Sequence, residues 1–228
     1  NSLISEVTEH FENFELHYAG RKLMSFVTND LSRFYIKLIR DRVWVSEKGS
    51  SKQSALSVLY EVLTLLARLF APITPFISEE IYQNLVYNFD KKSPQSVFQS
   101  GWPTASKKFV DKKLEEQVAV AQKIIEACQS ARQQAGIKLR WPIARVVVDS
   151  PKKGVKAAVG STKSLIEFMC NAKEVQIFKS KEANLVEAKF DSGSVFIDSK
   201  LDEKMMQEAL IREVIREIQS MRKQNGFD

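Results

Sequence analysis

The chain has 228 residues, 44% hydrophobic and 27% charged, with only eight Gly and six Pro, a composition that leaves ample material for one large or two modest cores and excludes fibrous and disordered classes. The formal net charge is +6 and uneven: residues 1–100 balance 11 Lys+Arg against 11 Asp+Glu, residues 101–228 carry 23 against 17, and residues 100–181 alone hold 16 against 7. Such an excess suits an anionic partner.

No apolar run reaches the roughly 18 residues that a membrane span needs. The opening NSLISEVTEHFENF has neither region of a signal peptide and enters a helical pattern without an initiator Met, which suggests a piece of a longer chain. Cys128 and Cys170 lack CxxC spacing, so no structural zinc site is expected. Cys128 falls on an apolar helix stripe and reads as a buried thiol. Few cysteines and no leader point to a reducing, cytoplasmic compartment.

Residues 2–18 read as an amphipathic helix through Leu3, Val7, Phe11, Phe14 and Tyr18, with Gly20 as its break. A second helix follows over 21–45. KGSSK at 48–52 is a loop. Residues 54–71 are apolar on nearly every face, the mark of a helix buried among others. Thr74 then reads as an N-cap with Pro75 at the first position of a fourth helix. Four helices with short connections make a bundle. The Ser-, Pro- and Lys-rich stretch 90–103 is a candidate boundary, giving a bundle with linker over 1–103. A connecting helix and a small α+β domain fill 104–228. Helix 110–134, free to pack with the bundle, stops at Gly136. The period then changes to two at Ile143–Val148. A weaker helix over 155–170, a strand at 174–178, a hairpin around the Asp191-Ser192-Gly193 turn and a strong last helix over 202–225 complete a β-α-β-β-β-α order.

The sequence carries little sign of an active site. His10 and His17 stand two turns apart, too far to share a metal easily, and read as solvated surface residues. GxxxxGK[ST], GxGxxG and HExxH are absent. The adjacent pairs Glu79-Glu80 and Glu115-Glu116 point to different sides of a helix and form no dyad. Binding is the better reading. Arg33, Lys37 and Arg40 recur at steps of four and three, opposite a Phe34/Leu38 core stripe, and Arg42 and Trp44 follow. Asp41 and Glu47 could neutralise part of that stripe, and Trp44 is equally compatible with the core. The stretch ARQQAGIKLRWPIARVV gathers Arg132, Lys138, Arg140 and Arg145 around Trp141, where helix gives way to strand. Guanidinium groups fit phosphates, and Arg and Trp planes stack on unpaired bases. The alternative is that Trp141-Pro142 plugs a joint as an apolar stopper among solvated cations. On the last helix, Arg212, Arg216, Arg222 and Lys223 interleave with Glu208, Glu213 and Glu217, as surface i,i+4 pairs do.

FYIKLIRDRVW, LARLFAPITPFISEEIYQNL (66–85) and SVFQSGWP resemble the anticodon-binding helical domain of class I aminoacyl-tRNA synthetases of the Ile/Val/Leu group. KLRWP, NAKEVQIF (171–178) and LIREVIREIQSMRKQNGF (210–227) narrow the resemblance to isoleucyl-tRNA synthetases of the archaeal/eukaryotic type, with the valyl family as the alternative. That likeness implies an α-helical bundle followed by a small α+β domain that holds the anticodon arm of tRNA-Ile. It implies partnership with catalytic and editing domains of the same parent chain, and no membrane or DNA partner. The class I signatures HIGH and KMSKS occur nowhere in the sequence. Activation of isoleucine, with its ATP and Mg, is therefore expected outside these residues, and no cofactor or catalytic residue within them. Arg33, Lys37, Arg40, Arg42, Trp44, Arg132, Lys138, Arg140, Trp141 and Arg145 are the expected tRNA contacts. A module that docks other protein surfaces without binding tRNA is the reading from a different class.

Overall fold

A computed structural model of the chain describes residues 1–44, 49–178, 185–200 and 202–227. It forms two compact units, Asn1–Val110 and Asp111–Asp228. The first is helical. The second mixes helices with a four-stranded sheet.

In the first unit, α1 (Ser2–Glu12) ends short of the expected position, because the chain turns at Asn13–Glu15 with Phe14 at φ 59°. Hydrophobic spacing continues evenly across that turn and so hides it. Gly20, expected as the break, lies inside α2 (Leu16–Ser25), where a Cβ would meet Ile73 Cδ1 at 3.8 Å, an ordinary contact. The helix runs on through a wider π-helical stretch (Phe26–Tyr35) into α3 (Ile36–Ile39), and a 3₁₀ turn (Asp41–Val43) follows. Then come α4 (Ser50–Phe70) and α5 (Pro75–Tyr82), the latter with Pro75 at its first position and a π-helical extension (Gln83–Tyr87).

Val7, Leu23, Leu31, Leu66 and Leu69 form the main core of this unit, and Ala67, Ala71, Tyr82 and Val97 a smaller one. Each fully buried Leu contributes about 2–3 kcal/mol through apolar area removed from water. Within α4 the buried residues are Ala55 and a cluster at Leu66, Ala67 and Leu69, whereas Leu56, Val58 and Tyr60 are exposed. The expectation of burial all round is therefore corrected. Among the described residues α4 is the one helix long and apolar enough, by length and composition, to cross a membrane, although no uninterrupted apolar run in it reaches 18 residues. It nevertheless carries Glu61 and Arg68, and its C-terminal end sits in both cores.

The 90–103 stretch is stitched to the helices. Arg68 donates to the carbonyls of Ser100 (3.0 Å) and Gly101 (2.9 Å from Nη2). The Glu79 carboxylate accepts from Ser96 Oγ (2.8 Å), Val97 N (3.0 Å) and Gln83 Nε2 (2.7 Å). Burial alone would raise the Glu79 pKa, but these donors outweigh it and hold it below its ordinary value. Tyr82 OH reaches Pro94 O (2.9 Å), and Trp102 Nε1 donates to Thr8 Oγ1 (2.8 Å) while its ring meets Phe11 edge-on. Much of the familiar LARLFAP…SEE…GWP pattern is thus internal scaffolding of this unit.

In the second unit, α6 (Lys112–Gln134) starts at Asp111, whose carboxylate accepts from Leu114 N (3.0 Å), and ends at Gly136, φ 67°. The bonds from Ile137 N to Arg132 O and from Ala135 N to Ala131 O close its last turn. The sheet order is β2-β1-β4-β3, formed by β1 (Ile143–Asp149), β2 (Ala172–Ile177), β3 (Leu185–Phe190) and β4 (Gly193–Asp198). β1 pairs parallel with β2 (Val146 opposite Val175) and antiparallel with β4 (Val146 opposite Ile197). Because β1 is central, Val146, Val147 and Val148 are all buried and strict alternation is lost there. The β3–β4 hairpin turns as expected, and Gly193 is required: a Cβ would lie 2.1 Å from the Asp149 carbonyl oxygen.

The expected helix over 155–170 is two, α7 (Lys153–Ser161) and α8 (Lys163–Cys170), parted at Thr162 just after Gly160. α6 packs on β3, β4, α7 and α8, burying Cys128, and α8 buries Cys170. The last helix, α9 (Glu203–Gln224), capped by Asp202, buries only Met205 and Ala209. Leu210, Ile211, Val214, Ile215, Ile218 and Met221, whose spacing predicts a core stripe, are exposed.

Candidate nucleic-acid interface

The loop after Gly136 owes its shape to Arg132. This residue, expected on the surface, is fully buried. Its guanidinium donates to the carbonyls of Cys170 (3.2 Å), Lys138 (2.5 Å) and Trp141. Burial lowers its pKa from the ordinary value, but an Arg stays charged. Two further donors hold the same loop: Asn171 Nδ2 (2.9 Å) and Arg212 Nη1 (2.7 Å) both reach Arg140 O. Asn171 sits at φ 51° at the end of α8, which turns its side chain toward the loop. Arg132 is therefore removed from the expected phosphate contacts. It fixes the backbone that presents them through its two Nη groups, which find carbonyls, while its Nε is buried with no partner among the described residues.

With its carbonyls held from within, the loop gathers its side chains around one carboxylate, Glu213 of α9. Glu213 Oε1 accepts from Trp141 Nε1 (2.9 Å) and lies 2.9 Å from Arg140 Nε. Oε2 lies 3.4 Å from Lys138 Nζ and 3.6 Å from Arg216 Nε. The Lys138 ammonium also stands 5.5 Å from the centroid of the Trp141 ring. The Trp141 hydrogen bond, with Lys138 and Arg140, holds the Glu213 pKa below its ordinary value. Three cations converge on one anion, so the cluster keeps a positive surplus, and Lys138 remains exposed. Trp141 is half-buried and Pro142 buried, so the Trp-Pro pair both packs and shows an edge. Arg145 is apart from this group: it lies on β1, half-buried, 3.8 Å from Asp198 of β4.

Sequence reasoning missed Glu213 as the hub. Interleaving on α9 suggested local pairs, and Glu208–Arg212 is one (2.6 Å). Glu213 instead reaches residues some 70 positions earlier, which no helical spacing can announce. Lys173 of β2 pairs with Glu208 (2.7 Å) and further ties α9 down; Lys173, by hydrogen bond and charge, and Arg212 hold Glu208 below its ordinary pKa against its partial burial.

In the first unit, Arg33 and Arg40 are exposed on the continuous helix, with half-buried Lys37 between them. The buried residues behind are Leu31 and Ile39, with Tyr35 packed between, while Phe34 and Leu38 are half-buried; the core stripe is corrected accordingly. Arg42 is engaged, its Nε donating to Ser51 Oγ and its Nη2 to Ser51 O, both at 2.9 Å. Trp44 is 63% exposed, which decides against the core, and its carbonyl accepts from Lys52 Nζ (2.9 Å). Glu47 lies outside the described residues. His10 pairs with Glu15 (2.7 Å) and packs beside Tyr18. Among the described residues no group of three or more His, Cys, Asp or Glu is placed to hold a metal.

Exposed cations beside an aromatic face on a helical unit, and a cation-rich loop held by buried donors on an α+β unit, are the makings of a nucleic-acid-binding module. Residues 1–148 match the family described as the anticodon-binding domain of tRNA ligase, and the chain belongs to that family. The match runs beyond the first unit and takes in the whole Arg132–Arg145 segment. The chain is also similar to isoleucine–tRNA ligases. That of Thermococcus kodakarensis is 35% identical over all of this chain and 27% of its own length. That of Methanothrix thermoacetophila is 33% identical over 98% of this chain and 28% of its own, and that of Methanosarcina mazei 41% over 76% and 16%. The chain thus spans about a quarter of the length of the curated relatives that match nearly all of it.

Proposed function

We propose that the chain is the part of an isoleucine–tRNA ligase that grips the anticodon arm of tRNA-Ile. The helical unit is the class I anticodon-binding bundle of the synthetase, and the α+β unit is the junction domain that follows it. Isoleucine rather than valine is favoured by the names of the relatives, which match over the second unit as well as the first. The observation that carries the binding role is the preorganised loop Lys138–Trp141, whose cations stand around a shared carboxylate while its backbone is held by Arg132, Asn171 and Arg212. Charges held in place lose little side-chain freedom when a phosphate arrives. Arg33, Lys37 and Arg40 add sequence-independent phosphate contacts, and exposed Trp44 a stacking surface. Arg42 and Arg145 contribute charge from fixed positions. Aminoacyl transfer, with ATP and Mg, belongs to the catalytic domain of the parent enzyme, which acts in the cytoplasm.

A salt titration of binding to a tRNA-Ile transcript, with an anticodon-substituted transcript alongside, tests this reading. Binding that weakens steeply with salt supports phosphate contact. No binding at low salt overturns it and promotes a second reading, favoured by the exposed apolar face of α9: a protein-docking module of the synthetase without tRNA contact of its own.

A further inference from the structure

The left-handed turn at Gly136 sends Ile137–Leu139 back alongside the last turns of α6, and an open groove of about 530 Å³ lies between them. One wall is polar. Gln129 and Gln133 stand one turn apart on the same face of α6, with Glu126 a turn earlier. Among the described residues, neither glutamine amide is taken up by a hydrogen bond. The other wall is aliphatic: Ile137 is buried at the base and Leu139 is 55% exposed at the rim. Lys138 lines the groove too, and the same ammonium belongs to the Glu213 cluster. A planar polar wall, an aliphatic wall and a cation at the mouth are the fittings of a nucleotide subsite.

We infer that this groove receives one unpaired base of the anticodon loop, an inference that rests on the tRNA-binding reading above. Lys138 and Arg140 meet the flanking phosphate, Leu139 covers a face of the base, and Gln129 and Gln133 pair with its edge. A carboxamide offers a donor and an acceptor side by side, the complement of an amino group next to a ring nitrogen. The Glu126 carboxylate presents acceptor oxygens, so it favours an edge bearing an exocyclic amine. On the Watson–Crick edge adenine and cytosine set their amine beside an unprotonated ring nitrogen, which a carboxamide complements, whereas the ring nitrogen of guanine there carries a proton; the base is therefore of the adenine or cytosine type. Uracil has no amine to offer Glu126.

The test uses the full chain with tRNA-Ile transcript and transcripts in which each anticodon adenine or cytosine is replaced singly by uracil. Two variants are compared with the unaltered chain: Q129A with Q133A, and L139W, which fills the groove from an exposed position. Thermal melts check that both fold. The expected result is that one substituted transcript binds the unaltered chain roughly tenfold or more weaker, and that both variants lose this difference while keeping the salt dependence. Discrimination that survives in both variants overturns the groove and leaves the tRNA reading standing. Equal binding of all transcripts to the unaltered chain also overturns the groove, since no base is then read. Failure to bind any transcript at low salt overturns the tRNA reading and the groove together.

Discussion

Two stretches of the chain carry nearly the same sequence signal and come to opposite physical arrangements. Arg33, Lys37, Arg40 and Trp44 stand on or just beyond the long helix of the first unit, and Arg33, Arg40 and Trp44 project into solvent. Arg132, Lys138, Arg140 and Trp141 are drawn into a network in which one guanidinium is buried, three backbone carbonyls are taken up and one carboxylate is shared. The first arrangement leaves the long side chains of Arg33 and Arg40 in solvent, where they can adapt as a phosphate-tracking surface requires. The second has already given up that freedom, and it suits a surface that must hold one geometry. A cluster of cations around a Trp is therefore not one kind of site. What separates the two is whether a buried partner exists to fix the backbone.

The comparison breaks most sharply at Arg132. R132A leaves the carbonyls of Lys138, Trp141 and Cys170 without their donor and opens a cavity, so a loss of about 3–5 kcal/mol is expected. It should be seen as an early melt reported by Trp141 fluorescence, with Trp44 and Trp102 replaced by Phe to isolate the signal. R132K should not restore stability, because an ammonium cannot span the same carbonyls. No single cation of the first unit should behave this way: R33A and R40A are expected to leave stability within about 0.5 kcal/mol and to lower the salt slope of tRNA binding by about one each.

Glu213 sharpens the contrast through pH. Its folded pKa lies below the ordinary 4.5 chiefly because Trp141 donates to it, with Lys138 and Arg140 assisting. The stabilisation is therefore complete above the unfolded pKa and is lost as pH falls through the lowered folded value. The emission of Trp141 should hold steady from neutral pH to about pH 5 and change below it, and E213Q should abolish that transition. Retention of the same acid transition in E213Q would assign it to another carboxylate. At Trp44 the effect is expected on binding and not on stability. W44A should change stability by less than about 0.5 kcal/mol, and it should weaken tRNA binding by about 1–3 kcal/mol where the indole stacks on a base.

Local chemistry made much of the fold legible. The stop at Gly136, the start at Thr74-Pro75, the hairpin around Asp191–Gly193 and the strand beginning at Ile143 all follow from residues whose backbone preferences act within a few positions. The turn at Asn13–Glu15 was illegible because a left-handed Phe14 violates its own local preference, and backbone bonds from Phe14 N to Phe11 O (3.1 Å) and Glu15 N to His10 O (2.8 Å) close it. The stripe on α9 misleads for a related reason. Spacing shows that Leu210, Ile211, Val214, Ile215 and Ile218 share a helix face, but it cannot show what lies opposite, and among the described residues that face is exposed.

By itself the sequence determined the helical first part, the mixed second part, the excess of positive charge in the second part and the membership of a tRNA ligase family, since each rests on composition, short-range pattern or recurring motifs. Only the tertiary structure decided which cations face solvent. Arg132 and Arg140 are eight residues apart and chemically alike. One points into the unit because the carbonyls of Cys170, Lys138 and Trp141 converge there, and the other points out because Glu213 of a distant helix receives it. A buried guanidinium is tolerated where most of its donors find acceptors, as both Nη groups of Arg132 do while its Nε finds none among the described residues, and Cys170 and Glu213 come from positions that no local window of sequence contains.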